Sequence, residues 1–186
     1  MTRDAAFAIL TEFTKDPSLI KHALAVEAAL RHFAVLHGED QDLWGVIGLL
    51  HDFDYEKWPE PPDHTRKGAE VLRERGVEPE IVDAILSHAE WNQETQPRDR
   101  PLRKALFAVD ELCGFLLAVA YVRPEGFKGL EPRSVLKKMK QKSFAAAVNR
   151  EDIRKGAELL GRSLEDHIAQ AIAALQPVAP ALGFAG

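Results

Sequence analysis

The chain has 186 residues, 46% of them hydrophobic and 28% charged, with a formal net charge of -5 at pH 7. That length suits one domain with a sizeable core and is short for two. The charge balance gives no overall basic footprint for nucleic acid, although a bound metal can reverse the local field for a phosphate ligand.

The single cysteine, Cys113, rules out an intrachain disulfide framework and sits in an apolar run, where it reads as core packing. The N-terminal stretch carries Asp4 and Glu12 and lacks the long apolar region of a signal peptide. The longest apolar run, Cys113–Val122, has about 10 residues, half of what spans a bilayer. The expected compartment is the cytoplasm.

The hydrophobic pattern is helical almost throughout, with no strand-length alternation, so the expected fold class is all-α. Asp4–Thr14 predicts a first helix. A second opens at Pro17 with Ser18 as its N-cap, runs to His37 and stops at Gly38. Asp40 caps a third, which carries LWGVIGLLHD. The prolines and acids of FDYEKWPEPPD form a loop. A fourth helix begins near His64 and ends at Gly76, and Pro79 opens a fifth through His88. After a loop with Pro97 and Pro101 comes an apolar sixth helix, Leu102–Val122, and Pro124, Gly126 and Gly129 interrupt the pattern. Helices at about 132–147, 150–160 and 163–175 complete the chain, with Asn149 and Ser163 placed to cap the last two. The tail from 177 to 186 reads as irregular.

Helical spacing turns several polar residues toward the core. His22 lies one turn before Val26 and two before Leu30; His51 lies four after Ile47. His88 lies three after Ile85 and seven after Ile81, and Asp110 lies four after Leu106. A buried, unpaired carboxylate is costly, so Asp110 needs a cation, a hydrogen-bond network or its own proton, and Asp52 beside His51 poses the same question. One such histidine is commonly a satisfied core residue. For the whole set, a divalent metal answers every demand together, since imidazole and carboxylate ligate Zn, Fe, Mn, Co or Ni.

The order His22 … His51-Asp52 … Asp110 resembles the H…HD…D signature of the HD superfamily of metal-dependent phosphohydrolases. The apolar VIGLLH before Asp52, DHTRKGAE at 63–70, DAILSH at 83–88 and LFAVDEL at 106–112 are similar to that family's further segments. The resemblance covers about residues 18–115. It implies a single helical domain over 1–186: an HD core, a helical C-terminal part at 116–176 and the tail.

It also implies that His22, His51, Asp52 and Asp110 hold one metal. His64 and His88 would complete a second site bridged by Asp52, so that one or two divalent transition metals bind per chain. His64 follows Asp52 by 12 positions, a short loop that leaves the fourth helix to bring it into the site or hold it at the rim. Metal-activated water would attack the phosphate ester or anhydride of a nucleotide or another small phosphorylated metabolite. Asp52 is then ligand and catalytic bridge, and Asp54 or Glu111, by proximity in sequence, manages protons.

Phosphate oxygens call for cations. Lys57, Arg66 and Lys67 are the candidates near the site, and Lys137, Lys138, Lys140 and Lys142 read first as a solvated face. Tyr55, Trp58 and Trp91 stack on a substrate or pack their loops. Two other functions stay open: a di-iron oxygenase of the same superfamily, and a non-catalytic binding module.

Overall fold

A computed structural model describes residues 1–184, and the last two residues of the expected irregular tail lie outside it. The described residues form nine α-helices and no strand, in agreement with an all-α class. They are α1 (Arg3–Phe13), α2 (Pro17–His37), α3 (Gln41–Leu50), α4 (Asp63–Glu74), α5 (Pro79–His88), α6 (Pro101–Tyr121), α7 (Pro132–Met139), α8 (Arg150–Leu159) and α9 (Leu164–Leu175).

The two 21-residue helices, α2 and α6, pack on one another and organise the rest. Helix α3 lies along α2, with α1 against its outer side; α5 joins α6 to α3 and carries α4; α8 and α9 cover the other flank of α6. A continuous apolar core runs through Leu30, Phe33, Ile47, Leu50, Ile85, Leu106 and Phe115, all essentially inaccessible to solvent.

Several helix ends follow simple capping chemistry. Asp40 accepts the N–H groups of Asp42 and Leu43 at the head of α3, and Gly38 ends α2 with φ +69°, where a side chain would be strained. Asn149 caps α8 through the N–H groups of Glu151 and Asp152, and Ser163 caps α9 through that of Asp166. The cap of α2 is Asp16, not Ser18. Its Oδ1 accepts the Ser18 N–H at 2.7 Å, and Pro17 takes the first helical position, where a missing N–H costs nothing.

Two stretches differ from their predicted form. Helix α7 stops at Met139 rather than near 147. The Arg150 guanidinium donates to the carbonyls of Phe144, Ala145 and Val148, and Ala145 takes φ +44°, so 140–148 folds as turns. The tail is more ordered than expected: Gln176–Val178 is a 3-10 turn, and Ala179 and Leu182 are buried against the core.

Candidate metal centre

The interior histidines and aspartates converge at one end of the α2–α3–α6 core. His22 projects from the second turn of α2, and Asp110 from the middle of α6. His51 and Asp52 follow directly on the end of α3. His88 is the last residue of α5, and His64 stands in a break at the head of α4. Close helix approach makes this convergence possible. At Gly48 a Cβ would meet Val26 O at 2.9 Å and Glu27 Cα at 3.0 Å, so α3 rests on the α2 backbone.

The ring orientations are fixed from behind. Nδ1 of His51 lies 2.7 Å from Gly48 O, and Nδ1 of His88 lies 2.6 Å from Ile85 O. A carbonyl only accepts, so both Nδ1 atoms carry the hydrogen and each ring, in its neutral form, turns its Nε2 lone pair inward. Nδ1 of His64 donates to Asp54 Oδ1 at 3.0 Å, with the same result. Hydrogen bonds of this kind orient metal-ligating histidines.

The donor atoms fall into two groups that share Asp52. His22, His51, Asp52 and Asp110 place one ligand atom each within 4.8 Å of one another, and so do Asp52, His64 and His88. Oδ2 of Asp52 lies 3.3 Å from His51 Nε2, while Oδ1 lies 3.2 Å from Nε2 of both His64 and His88. One carboxylate thus faces both groups, an oxygen to each.

The residues present fit divalent metal. Oδ1 of Asp52 is buried without a hydrogen-bond partner of good geometry, with two imidazole Nε2 atoms 3.2 Å away. Nε2 of His22 and His51 face each other at 3.3 Å, with Asp110 Oδ1 3.0 Å from the former. Nitrogen lone pairs and carboxylate oxygens pointing at common centres are the donor set of Zn, Fe, Mn, Co or Ni rather than of Ca or Mg.

The electrostatics express the same demand for positive charge. Burial by itself would push the His51 imidazolium down, but Asp52 and Asp110 overcome it and hold the ring well above its ordinary pKa. His64 is raised to about 9, its burial outweighed by Asp52 and Asp54. The carboxyls of Asp52 and Asp110 are held below the usual range because nearby histidine charge outweighs the opposing effect of burial. Glu111, half-buried beside Asp110, goes the other way, to about 7, through burial and the Asp110 charge.

The centre forms the floor of a cavity of about 360 Å³. Its walls are Tyr55, Trp91 and Phe107 together with Glu90, Arg98, Glu111 and Asp152. A family model of the HD domain matches residues 19–113, about half of the chain. The chain belongs to the HD family. The match takes in His22, His51-Asp52, His64, His88 and Asp110, and the family places the chain in a superfamily of metal-dependent phosphohydrolases. No curated protein and no solved structure gives a significant match.

Within this HD chain the other predicted residues have mixed positions. Asp54 is not in the cavity. It is 1% exposed, and its oxygens accept from His64, Thr65 and Gly68, so it stands behind the His64 ring and does not face the cavity. Glu111 does line the cavity.

Lys57, Arg66 and Lys67 do not line it. The loop after Asp52 folds back on α1, where Glu56 accepts the N–H groups of Lys15 and Asp16, and Lys57 Nζ ends 3.9 Å above the Phe13 ring. Arg66 donates to Asn92 Oδ1 and Trp91 O, and Lys67 pairs with Glu70 at 3.2 Å. Lys137 and Lys138 border a separate groove with Arg123. Tyr55 and Trp91 reach the cavity, whereas Trp58 packs near Phe13.

Sequence reasoning missed Arg98, as it did Glu90, Phe107 and Asp152. Arg98 comes from an irregular loop without periodicity, and only the fold brings it over Phe107, 3.8 Å from the ring centroid. No helix among the described residues is long and apolar enough to cross a membrane.

Proposed function

We propose that this protein is a metal-dependent phosphohydrolase that cleaves the phosphate ester or anhydride of a small phosphorylated metabolite. The observation that carries the reading is the Asp52 carboxylate, which offers one oxygen to His22, His51 and Asp110 and the other to His64 and His88. This arrangement suits one divalent ion in each donor group, both groups drawing on Asp52.

In the proposed site, His22, His51, Asp52 and Asp110 hold the first metal, and Asp52, His64 and His88 the second. When bound, two such ions supply an activated water at neutral pH and positive charge for the phosphoryl oxygens. The chain contributes orientation. Gly48 O, Ile85 O and Asp54 lock the three imidazoles with Nε2 inward, so no ring has to reorient when the site fills. Phe107, Trp91 and Tyr55 wall the cavity and limit the water that reaches the reacting group.

The test is metal content per chain on protein purified without chelator and without air, with Asp52→Ala alongside, followed by phosphate release from p-nitrophenyl phosphate. Two equivalents of Mn, Co, Ni or Zn, hydrolysis by the native protein, and neither in the variant are expected. Native protein that takes up no metal overturns the reading. Two irons with oxygen consumption and no phosphate release would replace it with an oxygenase.

A further inference from the structure

Charge is distributed unevenly along this acidic chain. Residues 121–142 hold seven lysines and arginines against two acids, in a protein whose formal net charge is -5. A run of charge by itself is commonly a solvated helix face. Here the fold gathers the run around the end of α6 and the whole of α7, and places exposed apolar side chains beside it.

Val135 and Met139 bury the inner side of α7, which turns Arg133 and Lys137, one helical turn apart, outward. Lys140 continues in helical conformation after Met139, also exposed. Lys137 and Lys138 share a groove with Val119 and Arg123 of the α6 end, so the charges of α7 and of the segment after α6 form one face. Arg123 donates to the carbonyl of Lys128 and brings that residue's turn alongside. The turns after α7 are fixed by Arg150, which donates to the carbonyls of Phe144, Ala145 and Val148. Among the described residues the lysines that form ion pairs are Lys67 and Lys155, both outside this face.

Two of the most exposed apolar residues border the cations. Tyr121 is 56% and Val122 58% exposed, and Lys21 donates to the Tyr121 hydroxyl at 3.2 Å, adding another cation to the edge. Exposed Tyr and Val set among lysines match the boundary between lipid headgroups and acyl chains. Nucleic acid fits less well. The Tyr121 ring lies 4.9 Å from that of Phe184, and the Phe144 ring carries Lys138 Nζ at 4.7 Å and packs on Phe115, so no series of open rings awaits successive bases. The Arg123 guanidinium is turned to the carbonyls of Gly126 and Lys128. Most of the charge left is lysine ammonium on flexible stems, which suits a diffuse anionic surface better than one phosphate held by a fork.

We propose that this face docks the protein on the surface of an anionic phospholipid bilayer, its ammonium groups among the lipid phosphates and Tyr121 and Val122 at headgroup level. The association is peripheral, since no helix among the described residues is long and apolar enough to cross a membrane. Each cation near such a surface contributes roughly a fivefold gain in affinity, and salt screens it. The docking face is separate from the metal cavity: Tyr121 stands seven residues, about 10 Å, beyond Gly114 of the cavity wall. It does not depend on the phosphohydrolase reading.

The experiment is sedimentation of the metal-loaded full chain with two kinds of vesicle, phosphatidylcholine alone and an equal mixture with phosphatidylglycerol, at low and high sodium chloride. The native protein is expected to pellet with the mixed vesicles at low salt, to be released at high salt and to leave the neutral vesicles unbound. R133Q/K137Q/K140Q, which removes three outward cations, is expected to bind the mixed vesicles at least tenfold more weakly, with native metal content and melting temperature. A control, R73Q/R100Q/R154Q, removes equal charge from three exposed arginines elsewhere and is expected to bind like the native protein.

Native protein that ignores the mixed vesicles at low salt, or binds both kinds alike, overturns the proposal. So does undiminished binding by the α7 variant, or an equal loss in the control, which would make net charge and not this face responsible. If labelled oligouridylate binds the native protein more tightly than the mixed vesicles do and loses that affinity in the α7 variant, the face belongs to nucleic acid and the membrane proposal falls.

Discussion

His64 Nδ1 lies 3.0 Å from Oδ1 of Asp54, and the other oxygen of that carboxylate accepts the N–H groups of Thr65 at 2.8 Å and Gly68 at 2.9 Å. A residue from the preceding loop thereby caps α4 and aims its histidine. The arrangement holds Thr65 at φ +68°, a strained value for a β-branched residue. It also requires glycine at 68, since a Cβ there would stand 2.6 Å from Asp54 Oδ2.

Replacing Asp54 by alanine should therefore act on the second metal before the first. The variant frees the His64 ring to rotate and leaves two buried N–H groups unpaired, at roughly 1–3 kcal/mol each. Metal content is expected to fall from two ions toward one, consistent with the ~10–100-fold loss of affinity that follows removal of such an orienting partner. Two tightly held ions in Asp54→Ala would refute the positioning role.

Metal removal should destabilise the fold, because Asp52 and Asp110 then face one another's charge with only imidazolium to balance it. Ligand at ~100 times its Kd stabilises by about 2.7 kcal/mol, which for a chain of this size corresponds to a Tm rise on the order of 5–10 °C. Differential scanning calorimetry of chelated and Mn-saturated protein measures this directly. Equal melting temperatures would indicate that the buried acids are satisfied without metal.

Much of the donor set was legible in the sequence because helical periodicity places each member on a core-facing stripe. His22, His88 and Asp110 can be read in this way from their spacing to Val26, Ile85 and Leu106. His64 could not, since it stands in a non-helical break at the head of α4, and the family resemblance supplied it. The substrate contacts were read from proximity in sequence, which fails where a loop reverses. Lys57 follows Asp52 by five positions yet ends over Phe13. Arg98 and Asp152 enter from a loop and from α8, whose docking on α6 is a tertiary event without a local signal.

The α2–α3 contact gives a test of how tightly the fold sets the metal geometry. At Gly48→Ala the added methyl would press on Val26 O and Glu27 Cα, backbone atoms that cannot turn aside. Overpacking of this kind costs about 1–3 kcal/mol, against a gain of at most ~1 kcal/mol in helix propensity. A net loss of stability in urea denaturation is expected, with weaker binding at the His22–His51 site as α3 shifts. A variant as stable as native would show that the helices can separate freely.

His167 gives the fold a pH dependence of its own, away from the metal. Its ring is buried between α9 and α6, edge-on to Phe33, and Nε2 donates to Ala108 O at 2.8 Å. Burial holds the ring below its ordinary pKa of 6.5 and outweighs the bond to Ala108; Arg162 lowers it further, while Asp166 acts in the opposite sense. The folded protein therefore binds a proton here less readily than the unfolded chain. This contribution to stability is fully present above the unfolded pKa and is lost as pH falls toward the folded one. Between pH 7 and pH 5 the native protein should lose more stability than His167→Gln, which keeps a donor for Ala108 but cannot be protonated. Both proteins carry the same metal centre, so its own response to acid cancels in the comparison. Identical losses for the two in urea denaturation would mean that His167 does not titrate in this range.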